Sequence, residues 1–300
     1  MSVGRRARSS PVRRGAPRGR SSLRLVVISE EDPVARGVAG YLGPGVPSGD
    51  HVAGTAVRDL GDGLYLLRRP GLHLYDLSLS SDLQAALGTR LEAVIFPSVH
   101  RSERGLPALT VHPLGNLGPE ARLGGLARHL TPVPARLLTG SFLALCEAGR
   151  DLGIPVSFES THHGPLLSSP AFFLEAGSAP GVWEDPRVHR ALAATLRALG
   201  SERSGEGPIV VGIGGGHYAP RFRDLVRHRK VAVGHLVPDH HVPDLDAGMW
   251  EELLRQTPGV EGVLMARPRS PPSAVPGIPI LPEASLPRRD PPVRTGPPGP

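Results

Sequence analysis

The segment Gly214-Gly215-Gly216-His217-Tyr218-Ala219-Pro220-Arg221 brings an anion cradle, an imidazole and a guanidinium into one short stretch. Its glycines permit positive backbone φ and close approach of a ligand. The apolar run 208–213 before it reads as a buried strand. The run 221–226 after it reads as a helix with Pro220 in its first turn. A helix start offers unpaired N–H groups and a field that favours an anion. His217 therefore lies at a strand's carboxyl end, where open α/β sheets place their ligands. The segment is neither a dinucleotide fingerprint nor a Walker loop, because no Gly-Lys-Ser/Thr follows. The plain alternative is a packing turn between strand and helix.

A second segment, Phe158-Glu159-Ser160-Thr161-His162-His163-Gly164-Pro165, also follows a strand-like run and is stopped by Gly-Pro. Neighbouring residues of an extended chain face opposite ways. His162 and His163 thus share a pocket only if the chain turns there. A third segment carries His100-Arg101-Ser102, then Leu109-Thr110-Val111-His112, with Gly115-Asn116 after the turn. Taken singly, His100 and His112 read as ordinary histidines. Three histidine-bearing strand ends in one α/β pattern suggest a common site.

These motifs, in this order and followed by Gly234-His235, resemble the D-aminoacyl-tRNA deacylase family of archaea and plants. Phe173-Leu174-Glu175-Ala176-Gly177-Ser178 and Trp183 fit the same pattern, and the resemblance spans most of residues 23–266. It implies an esterase that releases a D-amino acid and free tRNA from mischarged tRNA. It also implies zinc dependence and a fold akin to nucleoside phosphorylases and peptidyl-tRNA hydrolases.

Ester hydrolysis needs a placed water, a proton acceptor and stabilisation of an oxyanion. Histidine suits the proton work near neutral pH, and zinc can acidify water and polarise a carbonyl. The catalytic candidates are His162, His163, His217 and Glu159. Glu159 would orient a histidine or act as base, a structural carboxylate being the alternative. Gly214, Gly215, Gly216, Arg221, Thr161, Gly164, His112 and Asn116 are the substrate-binding candidates. His100 and His235 are entered as zinc ligands, although spacing does not choose among the histidines. Asp239, His240, His241, Asp244 and Asp246 form a second polar cluster, read as a solvent-facing loop before a helix.

The single cysteine, Cys146, excludes an internal disulfide and any cysteine-built zinc site. No apolar run approaches a membrane span. The net charge is +6, but residues 1–22 carry seven arginines and no acid and residues 267–300 carry five arginines against two acids, which leaves residues 23–266 at −4. Binding of tRNA needs a basic patch, not a basic total. The best local candidate is Arg221, Arg223, Arg227, Arg229 and Lys230.

The elements that must position these groups form a single three-layer α/β domain with a mostly parallel or mixed sheet. Strands are expected at Leu23–Ser29, Leu72–Leu77, Ala93–Pro97, Val231–Leu236 and Gly262–Ala266, besides those before the histidine motifs. Helices are expected at Pro33–Leu42, Leu83–Leu87, Arg136–Leu152, Trp183–Leu199 and Pro243–Leu254. Residues 1–22 read as a disordered basic arm and 267–300 as a disordered proline-rich tail. The expected partner is D-aminoacyl-tRNA, with no membrane and no obligate protein partner. A cytoplasmic monomer is expected, with organelle targeting by the arginine-rich N-terminus left open. Rival readings are a nucleoside phosphorylase-like hydrolase and a non-enzymatic RNA-binding protein.

Overall fold

The structure, a computed structural model, describes residues 23–88, 91–199, 205–267 and 277–290. The first half runs β1 (Leu23–Ser29), α1 (Pro33–Leu42), β2 (Val46–Val52), β3 (Thr55–Asp59), β4 (Leu64–Arg69), α2 (Leu79–Leu87), β5 (Leu91–His100) and β6 (Ala108–Pro113). Two short strands follow, β7 (Gly115–Asn116) and β8 (His129–Leu130), then α3 (Ala135–Ala148), β9 (Val156–Phe158) and β10 (Ala171–Gly177). The rest is α4 (Pro180–Trp183), α5 (Pro186–Ala198), β11 (Ile209–Ile213), α6 (Pro220–His228), β12 (Ala232–Val237), α7 (Ala247–Arg255) and β13 (Val260–Met265).

Eight strands form a mixed sheet in the order β2-β3-β4-β1-β5-β10-β6-β9. Its centre, β4-β1-β5-β10, is parallel, and β6 joins β10 antiparallel. The apolar runs Leu25–Ile28, Ala93–Phe96 and Ala171–Leu174 are fully buried, as expected of central strands covered on both faces. Helices α1 and α3 both pack on α5, and α3 also packs on β12.

The α/β reading holds, with one refinement to the sheet. The strand before the glycine turn does not join the main sheet. β11 lies between β12 and β13 in a separate parallel sheet. The two sheets meet along residues 158–163, and that seam carries the chemistry described below.

Two expectations need correction. Leu72–Leu77 is not a strand; His73–Tyr75 is a 3-10 turn. Arg69 bends this segment by binding Asp76 at 2.9 Å and Asp82 at 3.1 Å, so no edge remains for pairing. Within the stretch read as a disordered tail, residues 277–290 are an ordered strap. Leu286 is buried in the core, Leu281 N–H donates to Val263 O at 2.9 Å, and Lys230 N–H donates to Pro287 O at 2.8 Å. Proline-dense chain lacks donors, but the strap still offers apolar side chains and carbonyls. The basic arm 1–22 and residues 291–300 lie outside the described residues.

Asp32 ties α1 to the end of β5. Its Oδ1 accepts the Ala35 N–H at 2.9 Å as the helix cap. Its Oδ2 accepts the Ser98 hydroxyl at 2.8 Å and the Val99 N–H at 2.9 Å, one residue before His100. Replacing Asp32 by alanine leaves buried donors unpaired. We expect a loss of about 3 kcal/mol in urea denaturation, from one cap and two buried charge-assisted bonds. A loss under about 0.5 kcal/mol, the range of ordinary surface substitutions, would contradict this role.

Candidate active site

Backbone pairing across the seam assembles the site before any side chain is considered. On one side, Glu159 N–H donates to Val111 O at 3.1 Å and Gly115 N–H to His163 O at 2.8 Å. On the other, Ser160 N–H donates to His217 O at 2.8 Å, Thr161 N–H to Leu236 O at 2.8 Å and Ala219 N–H to Phe158 O at 3.0 Å. Glu159 also bridges to Tyr218. The segment 158–163 is therefore a splice between β6 and the turn after β11. It draws the three histidine-bearing segments together.

Glu159 lies at the middle of the splice and is fully buried. His217 Nε2 is 2.8 Å from its Oε2, His162 Nε2 3.5 Å from the same oxygen, and His100 Nδ1 3.1 Å from Oε1. A second carboxylate, Glu175 on β10, lies 3.4 Å from His100 Nδ1 and 3.6 Å from His112 Nε2. The register explains this. Phe173 pairs with His112 across β10 and β6, and Glu175 lies two residues along the same face. The His112 ring stacks on Phe173 with centroids 5.0 Å apart. His100 Nε2 meets the Tyr218 hydroxyl at 2.7 Å.

Three imidazoles converge beside these carboxylates. The His112 and His162 rings are 4.1 Å apart, His112 and His163 4.8 Å, and His162 and His163 4.3 Å. The chain does turn at this point, since His163 has a φ of 41°. Each ring holds a backbone carbonyl through Nδ1: His112 to Pro113 at 3.1 Å, His162 to Ser160 at 2.8 Å and His163 to Gly164 at 2.9 Å. A carbonyl only accepts, so each Nδ1 carries a hydrogen, and a neutral ring then keeps its lone pair on Nε2. His112 Nε2 and both Glu159 oxygens are buried without an aligned hydrogen bond. Among the described residues, His112, His162 and His163 can hold a metal ion, as can the sets Glu159, His162, His217 and His100, Glu159, Glu175. The donors are imidazole and carboxylate, the chemistry of a catalytic divalent site.

Electrostatics divides the cluster. Burial opposes ionisation of Glu159, yet His217, His112 and His162 hold its carboxyl at about 2. Burial also opposes ionisation of Glu175, which His112 and His100 hold at about 2. Burial would lower His100 and His112, but the two carboxylates outweigh it and raise both. His162 and His163 fall well below the usual imidazole value, first through burial and then through the neighbouring imidazoles. At neutral pH these two rings are neutral and free to donate a lone pair to a cation.

The other expected site residues lie as follows. Gly214 and Gly215 adopt φ of 106° and 93°, so the turn needs glycine there. Gly214 N–H donates to Val237 O at 2.7 Å, which takes it out of anion binding. Gly216 is exposed, with open space where a Cβ would stand. Gly164 packs on the 124–125 backbone, a Cβ there meeting Gly125 N at 2.3 Å. Asn116 holds the same loop, donating to Gly124 O at 3.0 Å. Thr161 is buried and occupied by Leu236 N–H at 3.0 Å and His235 Nδ1 at 3.0 Å. Thr161, Gly164 and Asn116 thus help to build the frame around the histidines. His235 is a correction. It is held by Thr161 in β12, outside every described metal-binding set, whereas His100 belongs to one. Arg221 faces away from the histidines and pairs with Glu283 of the strap. His241 binds Asp244 at 2.7 Å, and Asp246 caps α7.

Two residues were missed. Glu175 stands alone in the apolar run Ala171–Gly177, and an isolated carboxylate inside a buried strand is itself a signal. Tyr218 follows His217 directly, but nothing in the sequence says its hydroxyl reaches His100.

Comparison with known proteins agrees with this picture. A family model described as D-aminoacyl-tRNA deacylase matches residues 87–272. A D-aminoacyl-tRNA deacylase of Thermoplasma acidophilum is 29% identical over 82% of this chain and 90% of its own. One from Methanosarcina mazei is 35% identical over 67% of each chain, and one from Pyrococcus horikoshii 35% identical over 63% of this chain and 70% of its own. A solved structure described as a conserved protein of unknown function, AF0625, shares the fold. Its TM-score is 0.75 and its identity 23%, over 88% of this chain and 96% of that one.

The depressed carboxylates set a direction for acid stability. A carboxylate held at about 2 stabilises the fold fully above its ordinary value of 4.5 and loses that contribution as pH falls towards 2. In metal-free protein, the stability advantage of wild type over Glu175→Gln should therefore shrink as pH drops below 4.5. Urea denaturation across that range checks it, and a gap independent of pH would contradict the assignment.

Proposed function

This chain belongs to the D-aminoacyl-tRNA deacylase family, and we propose that it hydrolyses the ester joining a D-amino acid to the terminal adenosine of tRNA. The products are free tRNA and the D-amino acid. The observation that carries the mechanism is the contact of His217 Nε2 with Glu159 at 2.8 Å, beside three converging histidines whose Nδ1 atoms are held by backbone carbonyls.

His217 is 44% exposed and is the open end of the cluster, where substrate and water arrive. A carboxylate only accepts, so the ring nitrogen facing Glu159 carries the hydrogen. The other nitrogen is then the proton acceptor. In this reading water attacks the ester carbonyl and passes its proton to His217. The tetrahedral oxyanion collapses, the bond to the ribose oxygen breaks, and His217 returns the proton to that oxygen. Glu159, kept ionised, holds the ring and offsets the imidazolium charge. Its off-axis contact is the loose arrangement common before substrate binds.

Zinc fits the donor set. His112, His162 and His163 would hold it, each ring oriented by the backbone carbonyl at its Nδ1. A bound zinc ion supplies Lewis-acid polarisation of the ester carbonyl. Tyr218 and the buried His100 form a second proton-bearing pair. Selection of the D form follows from exclusion. The two substrates differ only in the direction of one side chain, so a wall against the L form suffices and leaves many D side chains acceptable.

The unit that acts comprises residues 23–266 with the strap 277–290. No helix among the described residues is long and apolar enough to cross a membrane. We take the protein to act on tRNA in the cytoplasm, as a monomer.

The test is release of labelled tyrosine from D-Tyr-tRNA and L-Tyr-tRNA, before and after chelation and zinc replacement. We expect D-selective release that chelation abolishes and zinc restores. No release by folded, zinc-loaded protein would overturn the function. Release indifferent to chelation would keep the reaction and remove the metal.

A further inference from the structure

A cavity of about 1210 Å³ opens between α3, α6 and the strap, and none of the site histidines lines it. Its lining carries seven arginines against five carboxylates, Glu147, Glu206, Asp224, Glu283 and Asp290, although residues 23–266 carry a net charge of −4. Three of these arginines are spent: Arg150 on Glu147 at 3.0 Å, Arg223 on Asp224 at 2.8 Å, and Arg221 on Glu283. Arg227, Arg229, Arg288 and Arg289 have no carboxylate within ion-pair distance among the described residues.

These four are presented in an organised way. Arg229 is pinned through Leu286 O at 3.2 Å and Arg289 through Val226 O at 3.0 Å, while Arg288 bridges to Arg229 through the backbone. Arg289 Nη2 is buried with no hydrogen-bond partner. A buried guanidinium donor without a partner is costly, and native structures satisfy such groups. An oxyanion is the partner that a fixed guanidinium fork recognises best.

The groove is also placed where RNA must pass. Arg221 lies in the first turn of α6, directly after the His217 turn. From there α6 runs roughly 10 Å, at 1.5 Å per residue, to Arg227, the arginine of this helix without an ion pair among the described residues, and to His228. A terminal adenosine held at the histidines must be followed by its chain, and this row of cations leads away from them.

We propose that the groove between α3, α6 and the strap binds the phosphodiester backbone of the tRNA acceptor end. The proposal rests on the deacylase reading for its substrate. Its occupant is RNA, and a free phosphate or mononucleotide is the competing outcome.

The experiment compares full-length wild type with Arg227→Glu/Arg288→Glu and with Arg227→Lys/Arg288→Lys. Thermal melts confirm that each is folded, and both side chains are removed from the core packing. Uncharged tRNA is the first probe, titrated across salt concentrations. We expect the glutamate pair to weaken binding at least tenfold and to flatten the salt slope by about 1 to 2, one for each lost phosphate contact. The lysine pair should keep most of the affinity. The second readout is kcat/KM on D-Tyr-tRNA and on a D-tyrosyl trinucleotide, where the loss on intact tRNA should be the larger. Unchanged affinity and slope for uncharged tRNA would overturn the proposal. So would groove binding of inorganic phosphate or a mononucleotide with tRNA binding intact. If wild type hydrolyses nothing yet the glutamate pair loses tRNA affinity, the groove stands and the deacylase reading falls.

Discussion

The site is organised around one ionised, fully buried carboxylate. A charge away from water is tolerated only when partners surround it. Glu159 has three histidines within 3.5 Å, contributed by β5, the 158–163 splice and the turn after β11. No single element could supply them. The two sheets must meet at this residue for its charge to be stable. The backbone ladder of the splice enforces that meeting, through Val111 on one side and His217 and Leu236 on the other. Fold and chemistry therefore share one constraint.

That constraint also sorts the histidines by role. Rings close to Glu159 and Glu175 hold protons more firmly, as His100 and His112 do. His162 and His163 are held neutral by burial and by one another. Backbone carbonyls at Nδ1 then aim three Nε2 atoms at a common point. His217 is the most exposed of the set facing Glu159. On the proposed function, one cluster serves as cation site and base without needing two separate pockets.

Much of this was legible in the residues. Strands ending in His100, His112, Glu159 and His217 follow from apolar runs stopped by glycine and proline, and the structure brings all four together. The turn at His163, the condition for both histidines to share a pocket, is also present. What could not be read was pairing. Nothing local says that β11 leaves the main sheet, or that β10 inserts between β5 and β6. Glu175 was overlooked for that reason, since its role exists only through cross-strand register. His235 shows the same limit from the other side. It follows a glycine at a strand as His217 does, but its ring is held by Thr161 and belongs to none of the described metal-binding sets. The strap was misjudged because proline density hides a few well-placed anchors such as Leu286.

The most direct test of the central claim is a double-mutant cycle on Glu159 and His217, read as kcat/KM for D-Tyr-tRNA hydrolysis with thermal melts as controls. If Glu159 acts through His217, Glu159→Gln and His217→Asn each lose about 10²- to 10⁴-fold. The double variant then loses little more than the worse single, since residues that act as a unit are not additive. Losses that multiply in the double variant would show two independent contributions and contradict the account.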